Sequence, residues 1–157
     1  MLYLDSSALV KRYVQEEGSA SVISRFESGE IIYTSVLSYA EIHAAIARKF
    51  RDKQLNIGEK EKLVDEFLND WLFSLNVLEL TTNTMSVLPI LCQQYSLKAS
   101  DAVHLSTAVW LKDTARIHVM DSGGVTSIVE FGVSDRRLAE AAFQCGFQVF
   151  NPAILEG

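Results

Sequence analysis

With 157 residues, 48% of them apolar, and only two prolines and eight glycines, the chain has the size and apolar content of one ordinary domain, which excludes a disordered or low-complexity protein. A net charge of −6 and a pI near 5.0 exclude affinity for nucleic acid through a broad basic surface. They leave room for a nuclease whose carboxylates are neutralised by bound cations. No basic segment leads into a long apolar stretch, so neither a secretion signal nor a membrane span is expected, and a cytoplasmic location is.

In chain order, the apolar opening Met1-Leu2-Tyr3-Leu4 predicts a strand near 2–5, ending on Asp5. Asp5-Ser6-Ser7 then opens a helical pattern over 7–16 that carries Lys11 and Arg12. Helix capping alone explains an Asp-Ser pair at such a junction. A carboxylate at a strand's carboxyl end with a hydroxyl beside it can equally hold a metal, the hydroxyl orienting the ligand or a bound water. A helix over 20–28 capped by Ser19, a strand near 31–34 and a helix over 36–51 capped by Ser35 follow. Glu41 lies in the last of these among small residues, Ala40, Ala44, Ala45 and Ala47, that permit close approach of another element. Arg48, seven positions on, shares its face and adds a cation suited to phosphate.

A helix over 59–74, a strand near 77–80 and a pattern over 84–95 come next; Pro89 requires that last helix to kink or begin late. Cys92 and Cys145, without metal-ligand spacing, read as buried thiols in a reducing compartment. Ser100 caps a helix over 101–112 with Asp101 as its first residue. That helix is apolar nearly all round, so an ionised Asp101 needs a partner, and a divalent cation is a suitable one. His104 reads as a hydrogen-bonded core residue outside the site. Residues 117–128 resemble a hairpin turning at Asp121-Ser122-Gly123-Gly124. A strand over 128–133 leads to Asp135 at the start of a helix over 135–145, and a strand near 147–150 closes the pattern. Asp121 competes with Asp135 for the same role but enters a turn; Asp135, which enters a helix, is preferred.

Strands alternating with helices predict an α/β fold: a single domain, 1–157, with three α/β/α layers around a mainly parallel sheet of about five strands. Asp5, Glu41, Asp101 and Asp135 then approach one spot. Carboxylates gathered so closely repel unless bridged, which predicts a hard cation with oxygen ligands, Mg²⁺ or Mn²⁺.

Four segments carry these acids: Leu4-Asp5-Ser6-Ser7-Ala8-Leu9-Val10-Lys11, Tyr39-Ala40-Glu41-Ile42, Ala99-Ser100-Asp101-Ala102-Val103-His104-Leu105 and Ser134-Asp135-Arg136-Arg137-Leu138. In order and spacing they resemble the acidic motifs of PIN domains, and the compact single-domain form is similar to VapC-type toxin ribonucleases. Members often carry Thr or Ser two positions before the fourth acid, where this chain has Val133, with Ser134 next. The resemblance implies a PIN-like fold and a Mg²⁺- or Mn²⁺-dependent endoribonuclease acting on RNA as the toxin of a toxin–antitoxin pair. It further implies a homodimer and a cognate antitoxin protein as partner. Asp5, Glu41, Asp101 and Asp135 would be catalytic and metal-binding, with the hydroxyls of Ser6 and Ser134 supporting them. Lys11, Arg12, Arg48 and Arg136 are candidates for phosphate contacts, surface charge for solubility being the equal alternative. A metal-dependent phosphatase and a non-catalytic PIN-like binding module are the rival readings. The first expects a second acid soon after Asp5, where Ser6, Ser7 and Ala8 supply none.

Overall fold

A computed structural model describes residues 1–122 and 128–154. In chain order it contains β1 (Leu2–Leu4), α1 (Ser6–Leu9) running into a 3-10 turn (Val10–Arg12), α2 (Ser19–Glu27), β2 (Ile32–Ser35), α3 (Leu37–Arg51) and α4 (Ile57–Phe73). There follow β3 (Leu75–Leu78), α5 (Leu88–Gln94), α6 (Ala99–Ser122), β4 (Glu130–Gly132), α7 (Arg136–Gln144) and β5 (Gln148–Phe150). The strands form one sheet in the order β3-β2-β1-β4-β5, every pairing parallel. From β1 the chain winds outward to β3, then returns to the other side of β1 to place β4. The strand order therefore reverses between β1 and β4, the position where open α/β sheets bind ligands at their carboxyl ends.

Because side chains alternate along a strand, each strand feeds two cores. Leu2, Leu4 and Ile32 pack on one face with Val22, Ile42, Ile46 and Phe67 of α2, α3 and α4. Tyr3, Phe131 and Val133 pack on the other with Leu91, Leu105, Ala108, Leu138 and Ala142 of α5, α6 and α7. Both faces are covered, giving the three expected layers. Gly132 is required by β4: a Cβ there would collide with Leu4 on the neighbouring strand and press on Phe150.

Several local expectations are corrected. Chain 117–120, expected as the first arm of a hairpin, continues α6, so that intrinsic β preference yields to the helix already under way; the expected turn at Gly123-Gly124 lies outside the described residues. Asp121 accordingly falls within a helix rather than after a strand. The helix expected over 7–16 stops at Leu9 and tightens into the 3-10 turn. Gly18 occupies the cap position expected of Ser19, and Val36 that of Ser35. The Ser19 hydroxyl instead accepts from the Glu16 amide, and the Ser35 hydroxyl from the Leu37 amide. Ser100 lies inside α6, one residue past its start, so Asp101 is the third helical residue and not the first. Cys92 is exposed and Cys145 half-buried, both free, so neither is the buried thiol expected. Pro89 stands at the start of α5, resolving the expected choice between kink and late start in favour of the latter.

Candidate active site

The carboxyl ends of β1 and β4 are stitched together before any acid is considered. The Asp5 amide donates to the Gly132 carbonyl at 3.0 Å, and the Ser134 amide to the Ser7 hydroxyl at 2.9 Å. The Ser7 hydroxyl in turn lies 2.8 and 2.9 Å from the two carboxylate oxygens of Asp5 and donates to them. Asp5 also caps α1, its Oδ1 accepting from the Ala8 amide at 2.9 Å. Only 4% of its surface is exposed. Burial pushes the Asp5 carboxyl up to about 6, against the opposing pull of His104 and these hydrogen bonds.

Asp135 repeats the arrangement at the next strand end, capping α7 through Oδ1, which accepts from the Leu138 amide at 3.0 Å. Asp101 enters from the first turn of α6. Partial burial and the nearby charge of Asp135 raise its carboxyl above the usual range. Glu41 comes from α3 on the opposite wall. Although partial burial disfavours its charge, His104 and Ser6 donate hydrogen bonds that hold it below the usual range. All four acids line one open cleft of about 370 Å³ beside Ser6, Ser7, His104 and the two cations Arg48 and Lys98.

Ala45 also lines this cleft, and its small side chain lets α3 approach as its composition implies. Other expected contributors are placed elsewhere. The Lys11 ammonium donates to the Glu17 carbonyl at 2.8 Å and pairs with Glu16, being turned inward by the 3-10 turn. Arg12 pairs with Asp70 at 3.2 Å and lies over the Phe26 ring. Arg136 is exposed on α7, 4.0 Å from Glu140. Ser134 braces the loop through Ser7 without lining the cleft. The hydroxyl that orients Asp5 belongs to Ser7, whereas Ser6 donates to Glu41.

His104, read from sequence as a core residue, is hydrogen-bonded as expected but reaches the cleft. Its position three residues after Asp101 on one helix, hence on the same face, was the available signal. Lys98 was unmarked by any motif.

The donors from the acids are all oxygen, which fits a hard cation and not zinc. Among the described residues, no three His, Cys, Asp or Glu side chains stand close enough to grip an ion as they are. Three acids already give an oxygen to the protein: Asp5 to Ala8, Asp135 to Leu138 and Glu41 to His104. Closing a coordination shell therefore requires side-chain rotations. Mutual repulsion among Asp5, Asp101 and Asp135 favours such closure, since a divalent cation relieves it. In the chemistry of their donors the residues fit a hard divalent cation.

Comparison with known proteins agrees with this fold. The PIN domain model matches residues 2–118, a span holding Asp5, Glu41 and Asp101, with Asp135 beyond it. The chain is 30% identical over 156 residues to two proteins of Mycobacterium tuberculosis, Ribonuclease VapC45 of strain CDC 1551 / Oshkosh and Ribonuclease VapC49 of strain ATCC 25618 / H37Rv. Each alignment covers 99% of this chain and 98% of the relative. The crystal structure of FitAcB from Neisseria gonorrhoeae matches with a TM-score of 0.68 at 18% identity, covering 99% of this chain and 100% of that one. The structure of FitAB bound to an IR36 DNA fragment matches with a TM-score of 0.65 at 18% identity, covering 100% and 99%. These two likenesses speak for the fold. From the sheet order, the acidic cleft at its reversal point and the family match over most of its length, the chain belongs to the PIN domain family.

Proposed function

We propose that this protein is a Mg²⁺- or Mn²⁺-dependent endoribonuclease, the toxin of a toxin–antitoxin pair. The observation that carries the reading is the arrival of four acids from β1, α3, α6 and the β4–α7 junction in one cleft, in a chain whose full-length relatives are named ribonucleases. Asp5, Asp101 and Asp135 would hold the ion, with Glu41 as a further ligand from the facing helix. When bound, the ion supplies Lewis acidity that draws charge from the scissile phosphate and lowers the pKa of the attacking water.

The protein's own groups do the rest. Arg48 and Lys98 flank the acids and offer the cationic contacts that would seat the RNA backbone. Ser7 and the Ala8 amide fix the orientation of Asp5, while the Leu138 amide fixes that of Asp135. Hydrolysis forms a bond from water oxygen to phosphorus and breaks the bond to the 3′ oxygen, leaving 5′-phosphate and 3′-hydroxyl ends. A homodimer and an antitoxin that covers the cleft complete the proposal. A cytoplasmic setting is proposed with them. No helix among the described residues is long and apolar enough to cross a membrane.

The test is incubation of single-stranded RNA with the purified protein and Mg²⁺ or Mn²⁺. Internal cleavage that disappears with chelator and in Asp101→Asn is the expected result. Release of inorganic phosphate from small esters without RNA cleavage would replace this reading with a phosphatase, and absence of any ion binding would replace it with a non-catalytic module.

A further inference from the structure

His104 sits one turn after Asp101 on α6 and is only 2% exposed, yet both of its ring nitrogens are engaged. Nε2 lies 2.9 Å from Glu41 Oε2 and 3.1 Å from the Ser6 hydroxyl. Nδ1 lies 3.0 Å from the hydroxyl of Tyr3, a residue fully buried in the middle of β1. The three side chains come from strand β1 and helices α3 and α6, so their meeting is a product of the tertiary fold.

Hydrogen accounting gives this row a direction. An ionised carboxylate only accepts, so the hydrogen between Glu41 and His104 belongs to Nε2. In the Nε2–H tautomer Nδ1 is an acceptor, and the Tyr3 hydroxyl, 3.0 Å away, faces it as donor. Each group thus donates toward the cleft, Tyr3 to His104 and His104 to Glu41. Ser6 donates to the same Glu41 oxygen, so both anchors act on Oε2.

We propose that Tyr3 and His104 are a positioning pair for Glu41: the Tyr3 hydroxyl, bonded to Nδ1, holds the His104 ring in place, and the Nε2–H of that ring holds Glu41 with one oxygen turned to the ion site. The proposal rests on the reading of Glu41 as an ion ligand. Neither residue touches the reacting atoms; both act through Glu41. Packing alone does not call for the hydroxyl, since the Tyr3 ring is stacked on Phe131 at 5.3 Å and phenylalanine would keep that contact.

Long-range ¹H–¹⁵N NMR of His104 in the ion-free protein tests the first half. The wild type should show a single Nε2–H tautomer with its Nδ1 resonance shifted by a hydrogen bond, and Tyr3→Phe, folded by its melting curve, should lose that Nδ1 shift. Calorimetric Mn²⁺ titration tests the second half: His104→Phe should weaken binding about tenfold to a hundredfold, the usual cost of losing a group that orients a ligand. His104→Gln, which retains an N–H near the Nε2 position, should recover most of that loss. A wild-type ring carrying its hydrogen on Nδ1, an Nδ1 resonance unchanged in Tyr3→Phe, or His104→Phe binding Mn²⁺ as tightly as wild type would overturn the pair. Should His104→Phe fail to fold, Tyr3→Phe decides. Failure of wild type to bind Mn²⁺ or cleave RNA would instead remove the nuclease reading, and the tautomer would still decide the pair.

Discussion

The two ends of the sheet use the same residue types to opposite effect. At the amino end, Glu30 before β2 and Glu130 at the start of β4 share Arg25 of α2, which lies 2.6 Å from Glu30 and also bonds Glu130. Partial burial disfavours the charge on Glu30, but Arg25 outweighs it and holds the carboxyl below its usual range. At the carboxyl end Asp5, Asp101 and Asp135 face one another, and Asp5 and Asp101 are pushed up instead of down. One end is neutralised from within the chain. The other keeps a charge imbalance that an external cation would relieve, which is how a stable scaffold carries an electrostatically unfavourable site.

Breaking the carboxyl end should have the largest consequence. Asp101→Asn is expected to abolish RNA cleavage while leaving the melting temperature within a few degrees of wild type, as gel assays and calorimetry on the same preparation will report. Asp5→Asn sharpens the contrast through stability. A carboxyl whose folded pKa exceeds its unfolded value favours the fold at low pH and loses that contribution as pH rises through about 6. The ion-free variant should therefore exceed wild type at pH 7 by up to about 3 kcal/mol and converge with it near pH 4. Asparagine retains the capping oxygen, so the effect isolates charge. Adding Mn²⁺ should stabilise wild type and not the variant, reducing the difference or reversing it.

The amino end should respond the other way. Arg25→Met leaves Glu130 without its ion-pair partner and Glu30 with only the Met1 ammonium at 3.5 Å, so it should lower stability by about 2 kcal/mol by urea denaturation, without changing RNA cleavage per folded molecule. A smaller effect is expected at the cleft rim: Arg48→Ala should weaken RNA binding about fivefold at moderate salt and flatten its salt dependence. Equal RNA affinity and salt slope in Arg48→Ala would remove it from the phosphate contacts.

Legibility in the sequence follows the range of the interaction. Asp5 and Asp135 could be read because each ends a short apolar run and precedes a helical pattern, and both stand at strand ends as caps. The parallel sheet and its two covered faces followed from alternation alone, whereas the strand order did not; Glu41 was marked by its small neighbours and Asp101 by the apolar helix it opens, and the family resemblance joined them to the other two acids. What escaped depended on long-range geometry. Arg12 is occupied by Asp70, 58 positions away, and no local pattern announces such a partner. Lys11 was misplaced because the helix tightened after Leu9, which rotated the side chain inward. The expected hairpin failed for the opposite reason, a long helix already under way overriding β-prone residues. His104 could have been included by its spacing from Asp101, but residue type alone favoured the core.

Because Asp5 and Asp135 each serve as the cap of a helix as well as a wall of the cleft, two backbone amides double as built-in reporters. The Ala8 and Leu138 N–H groups touch the carboxylates that an arriving ion would reorient. Their resonances in an amide spectrum should move first during a titration, ahead of amides buried in the sheet, and so record occupancy of the cleft without substrate, label or catalysis.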